Sequence, residues 1–186
     1  MGDWVMWMIK RLFRQWIDDV RAVAAVESAL IFPVLLTMLL GTFDAGYGIL
    51  AAQKVIRSAQ VTADLIARNR SVTDGDIDAA ITGGMLSMTP YDIGSYGVDI
   101  VSIEFDEEAR AVQLWCETRN SVVNDDVAVN VGALAAPNDG VVAVTVRYNY
   151  VPTFSGFVFD TIQMQEVAYA RGRLTSTVPH VDRDGC

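Results

Sequence analysis

Apolar positions are almost continuous from Val23 to Phe43. The run VAAVESALIFPVLLTMLLGTF holds 15 Ala, Val, Ile, Leu, Met or Phe among 21 residues, and Glu27 is its one ionisable side chain. A helix of that length is about 31 Å long, matching a hydrocarbon core of about 30 Å. The pattern predicts one membrane span. It exceeds the roughly 7 to 15 apolar residues of a secretory signal, is interrupted by Glu27 and Pro33, and has no convincing small-x-small cleavage site after it. It therefore reads as an anchor that stays.

Beyond the span the period is helical. Ile49, Ala52, Ile56, Ala59, Ala63 and Ile66 step by three and four, which predicts a helical stalk over residues 44–70, continuous with the span. Thr73 and Asp74 form a cap signal with Asp76 in the first turn. They open a shorter helix over Ile77, Ala80 and Ile81 that Gly83 and Gly84 weaken or end.

From Tyr96 onward the period is two. GVDIVSIEFDEEARAVQLWCETR predicts two strands joined through Asp106 to Ala109, and Val142, Val144, Val146, Tyr148 and Tyr150 mark a third strand that Pro152 ends. A last extended segment over Thr161 to Leu174 changes phase near Val167 and Tyr169, as a bulge would require, and Ser121 to Gly140 reads as loop. The expected fold class is α+β. A long N-terminal transmembrane helix continues into a head, residues 71–186, with a short helix and a small antiparallel sheet.

Ahead of the span, residues 1–22 place Trp4, Met8, Leu12 and Trp16 four apart, widened by Trp7, Ile9 and Phe13 and interleaved with Lys10, Arg11 and Arg14. Tryptophan and cations together suit the headgroup layer. A short in-plane helix, a processed leader and an ordinary basic anchor flank all fit this composition. Lys10, Arg11, Arg14 and Arg21 precede the span, while Lys54 and Arg57 follow it within twenty residues, which orients the N-terminus to the cytoplasm.

Composition changes this picture in one respect. The chain is 52% apolar yet has a formal charge of −9. Such hydrophobicity excludes a disordered chain, 20% charged residues disfavour several spans, and a pI near 4.4 disfavours a nucleic-acid partner. The charge is unevenly placed: residues 71–186 carry six bases against seventeen acids, a formal −11, so the acidity lies on the exported side.

Catalytic chemistry is sparse. Asp74, Asp76 and Asp78 have the first offsets of a calcium loop, but Ala79 and Met85 stand where its glycine and bidentate glutamate belong, and carboxylates at a helix start explain them better. His180, the single histidine, lies in a polar tail without a zinc or triad set, and no P-loop, G-x-G-x-x-G or G-x-S-x-G occurs. The expectation is a non-enzyme without cofactor or metal. In the span, Pro33 removes the backbone bond to the carbonyl of Ala29, predicting a kink or local melting.

Arg21-Ala22-Val23-Ala24-Ala25-Val26-Glu27-Ser28-Ala29-Leu30, followed by Ile31, Pro33, Leu35, Leu36, Gly41, Asp44 and Gly46, resembles the N-terminal motif of TadE/TadG-like proteins of the tight-adherence (Flp, type IVb-like) pilus system. The resemblance covers residues 21 to about 70. It implies a minor pilin-like or assembly subunit of such a pilus, held in the inner membrane with a periplasmic head. The implied partners are other pilus or pseudopilus subunits, an assembly platform and a prepilin peptidase. Ala22 and Val23 fall at the family's processing point, although Ala22 stands where processed members carry glycine and Ser28 where they carry an aromatic. Cleavage after Ala22 would make Glu27 the fifth residue of the mature chain.

Two readings of Glu27 follow. On residue chemistry alone it snorkels to interfacial water or is protonated, because a carboxylate at the centre of a span costs about 2.5 to 3.5 kcal/mol. The resemblance implies that it pairs with a cation of a neighbouring subunit and sets its register. Cys116 and Cys186, the only cysteines, invite a disulfide in an oxidising periplasm that would tie the tail to the sheet; the alternative is free or intermolecular thiols. A different class also fits the sequence: a membrane-tethered periplasmic binding or envelope-scaffold module unrelated to pili.

Overall fold

The computed structural model describes residues 2–17, 20–154, 156 and 160–186, with the side chains of residues 2, 3, 5, 12, 13, 15–17, 20–22 and 128 outside the described set. The chain divides into two compact units, residues 1–45 and 46–186.

The first unit is helical. Helix α1 covers Gly2–Ile17, and its exposed Trp4, Trp7 and Met8 carry the amphipathic pattern, with Arg11 lying 4.9 Å above the Trp7 ring. Helix α2, Val20–Ala67, starts in this unit and runs unbroken through Pro33, so the helix does not melt there. Its apolar side chains from Val23 to Phe43 are exposed, apart from half-buried Leu40, as a span requires when lipid or another subunit covers it. Thr37 and Thr42 donate their hydroxyls to the carbonyls of Val34 and Met38 at 2.8 Å, which removes two donors from an apolar surround.

In the second unit the rest of α2 is the central core helix. The buried stripe is Ala51, Val55, Ala59, Ala63 and Ile66, with Ser58 and Thr62 beside it. This corrects the expected stripe in its first half: Ile49 is 62% and Ile56 39% exposed. Small side chains face inward because α3, Asp74–Ser87, and the sheet approach closely. Ser58 donates to the carbonyl of Gly84 at 2.8 Å and meets the Tyr96 hydroxyl at 3.0 Å. A Cβ on Gly84 would collide with Thr62 Oγ1 and come within 2.9 Å of Tyr96 Oη. The glycines expected to end α3 instead lie inside it and let it dock. Its start is as expected, with Thr73 as N-cap and Asp76 completing a capping box.

The sheet contains β1 (Gly97–Phe105), β2 (Ala111–Arg119), β3 (Gly140–Tyr150) and β4 (Ile162–Ala170) in antiparallel order β2-β1-β3-β4. The β1–β2 loop is organised by Asp106, whose carboxylate accepts from the amides of Glu108 and Arg110 at 3.0 and 2.8 Å. These bonds, that of Arg110 foremost, hold the Asp106 carboxyl below its ordinary range. The register of β3 with β4 is continuous, so the bulge expected near Val167 is absent from that pairing; the irregularity falls between β1 and β2 at Ser102/Ile103.

The change of phase in β4 has another cause, namely that both faces of the sheet are covered. One face carries Val98, Ile100, Trp115, Val144 and Val146 against α2 and α3. The other carries Val101, Ile103, Phe105 and Ala143 against Val127 and Val131. Those last two belong to a short helix α4, Asp126–Asn130, and the 3-10 turn after it, within the stretch read as loop. Buried Asp99 fixes that segment by accepting from Thr118 Oγ1 at 2.6 Å and the Asn124 amide at 2.9 Å. In β4, Met164, Ala168 and Ala170 pack on the first face and Val167 on the second.

Candidate assembly site

Helix α2 positions the residues singled out in the span. Val23 is 51% exposed, and Glu27 and Pro33 are exposed on the same helix, while the side chain of Ala22 lies outside the described residues. Among the described residues Glu27 has no ion-pair partner within the chain. A carboxylate on an apolar, outward-facing helix is costly unless another molecule supplies a charge or hydrogen bonds.

A second constellation holds the C-terminal tail to the head. The Val178 carbonyl accepts from Ser102 Oγ at 2.9 Å and Trp115 Nε1 at 2.7 Å, and the Val72 amide donates to Pro179 O at 3.0 Å. Cys116 and Cys186 are brought together with Cα atoms 5.3 Å apart, a separation that a disulfide spans. The tail thus lies along edge strand β2, where the Gly185 amide donates to Leu114 O at 2.6 Å, covering part of an edge that would otherwise be open to pairing.

His180 belongs to this contact. The sequence places it in a polar tail without a zinc or triad set; in the fold it is 6% exposed and meets the Trp115 ring edge-on at 6.0 Å. Its Nδ1 accepts from the Asp182 amide at 3.1 Å, which requires the proton on Nε2, and Nε2 lies 3.2 Å from Asp74 Oδ1. Nε2 makes no bond of good hydrogen-bonding geometry. The period-two and period-3.6 patterns carry no signal for such a residue.

The three aspartates with calcium-like spacing diverge to separate partners. Asp76 caps α3, Asp74 pairs with Arg183, and Asp78 pairs with Arg119 at 3.1 Å. Among the described residues no group of three or more His, Cys, Asp or Glu side chains is placed to hold a metal ion.

Glu117 links the tail to the sheet by bonding Arg183 at 2.6 Å and also Arg119. Burial pushes its carboxyl up, but the hydrogen bonds and charges of Arg183 and Arg119 outweigh this and hold it below the ordinary glutamate range. A folded-state value below the unfolded one contributes stability above about pH 4 that is lost as pH falls through the folded value. Urea midpoints of the full chain in detergent should therefore drop between about pH 5 and 3, and Glu117→Gln should flatten that drop. An identical acid limb in the variant would show that the Arg183 bond adds no stability.

Residues 22–64 match the family described as TadE-like protein. The match begins at Ala22, contains the whole span with Glu27 and Pro33, and runs into the core portion of α2. No curated protein and no solved structure gives a significant match to the chain.

Proposed function

With a TadE-like segment running through the one described helix long and apolar enough to cross a membrane, we propose that this protein is a non-catalytic minor pilin-like or assembly subunit of a Flp/Tad-type pilus. It is a single-pass protein of the inner membrane with its N-terminus in the cytoplasm. Residues 1–22 form a leader or in-plane segment, 23–43 the span, 44–70 the helical stalk and 71–186 the periplasmic head. The cationic flank ahead of the span and the formal −11 of residues 71–186 support this orientation.

The observation that carries the reading is Glu27, an exposed carboxylate in the TadE-like span without a partner of its own among the described residues. A cation from a neighbouring subunit, such as a mature N-terminal amine, would neutralise it and fix the axial register of the incoming helix. Glu27→Gln and Glu27→Ala should each reduce recovery of other pilus subunits by co-purification about tenfold, the effect of losing one partly desolvated charge pair of about 1.4 kcal/mol. Membrane insertion should be unimpaired, since both changes make the span less costly to insert. Recovery equal to the parent in both variants would refute the pairing. N-terminal sequencing of the extracted protein tests its fate: a start at Val23 supports processing at Ala22 and entry into the fibre, and an intact N-terminus supports a stationary base component.

A further inference from the structure

The second unit has a cleft of about 710 Å³ whose lining includes Tyr47, Tyr91, Asp92, Tyr148, Tyr150 and Phe154. Neither the motif resemblance nor the family match touches its sheet side. The cleft is built, not incidental. The Tyr91 hydroxyl donates to Tyr47 O at 2.9 Å, Tyr91 and Tyr150 meet edge to face with centroids 6.4 Å apart, and the Tyr150 ring lies against the backbone of Gly48, where a Cβ would be 3.5 Å away. Ser95 and Asn149 tie the loop before β1 to the end of β3 through paired bonds of 3.2 Å.

Its chemistry is selective. Among the described lining residues Asp92 is the only charged side chain, and none is basic. Aromatic faces with one carboxylate are repelled by anions and attract a soft cation through the ring quadrupoles. Burial, with the Asp92 charge and Tyr91 adding to it, raises the Tyr148 phenol above its ordinary value, and burial with Tyr47 raises that of Tyr91, so both rings stay neutral. Tyr47 follows the last residue of the span, Phe43, by four positions, which is about one helical turn. With residues 23–43 as the span, that spacing puts Tyr47 itself within reach of the headgroup layer.

We propose that the cleft is a binding site for an organic ammonium group, supplied by the headgroup of a zwitterionic phospholipid. The site goes beyond pilus assembly and requires only that residues 23–43 span a bilayer. The ammonium is held by the tyrosine faces and Asp92, and the attachment gives the head a fixed seat on the membrane surface.

The full chain in an uncharged detergent, titrated calorimetrically with tetramethylammonium chloride against sodium chloride at equal ionic strength, tests the chemistry. Saturable heat with tetramethylammonium alone is expected. Asp92→Asn and Tyr91→Leu should each weaken it about tenfold, and Tyr91→Phe, which keeps the ring, should stay within about threefold of the parent. Nanodiscs then separate the sources. Loss of tetramethylammonium binding in phosphatidylcholine or phosphatidylethanolamine discs, but not in phosphatidylglycerol discs, assigns the site to the lipid headgroup. Equal binding in all discs overturns that source in favour of a free cation. No preference over sodium, or full binding by both Asp92→Asn and Tyr91→Leu, overturns the site itself. None of these readouts depends on pilus subunits, so their failure is distinct from a failure of the Glu27 experiment.

Discussion

Replacing Trp115 by alanine should lower the stability of the head by about 4 kcal/mol, the usual cost of deleting a fully buried large aromatic. Trp115 is wholly inaccessible and sits where β2 carries its irregular register with β1. Its ring packs into the core shared by the sheet, α2 and α3, and its edge meets His180 of the tail. Its indole N–H is bonded to the Val178 carbonyl, but that carbonyl also accepts from Ser102 and would keep one partner. The loss is therefore mainly cavity and packing, not an orphaned acceptor. Trp115→Phe should consequently cost only about 1 to 2 kcal/mol, since it keeps much of the volume and gives up one hydrogen bond. Urea unfolding of the full chain in detergent, followed by circular dichroism, measures both. A change below about 1 kcal/mol for Trp115→Ala would contradict the burial of this residue between sheet and tail.

Much of this arrangement was legible because periodicity reports burial on one face. The apolar run Val23–Phe43, the cap at Thr73 to Asp76 and the alternation ending at Tyr150 each had one structural solution. Three features were not legible, and each fails for a physical reason. In α2 the stripe of large aliphatics pointed to Ile49 and Ile56, but close packing against Gly84 and Tyr96 selects alanine, serine and threonine on the inner face. In β4 partial cover on both faces imitates a bulge. Between Ser121 and Gly140 the buried apolar side chains among the described residues are Val127 and Val131, with Ala135 partly buried beside them, too few to generate a period.

The candidate site was legible in part. Glu27 stood out because a charge in a span is conspicuous against its neighbours. The tail contacts of His180 and the cleft around Tyr91 arise from residues far apart in sequence, as in the pairs Val72 with His180 and Tyr47 with Tyr91, and no local pattern encodes them.

Breaking the Cys116–Cys186 link should cost the head about 4 kcal/mol, comparable to the loss of Trp115. The bond closes a sequence separation of 70 residues, and loop-closure entropy for a loop of that size corresponds to about 4 kcal/mol at 25 °C. The Cα separation of 5.3 Å lies within the ordinary range for a disulfide. Because this contribution acts on the unfolded chain, it should appear without loss of native contacts. The tail keeps its noncovalent hold at Val178, Pro179 and Arg183, so the folded head of Cys116→Ser/Cys186→Ser should retain its circular dichroism and release only the last few residues to carboxypeptidase. Parent protein treated with reductant should match the double variant in urea midpoint, and reductant should leave the double variant unchanged. A disulfide-linked dimer on a non-reducing gel, or equal midpoints for oxidised and reduced parent, would refute the intramolecular clamp.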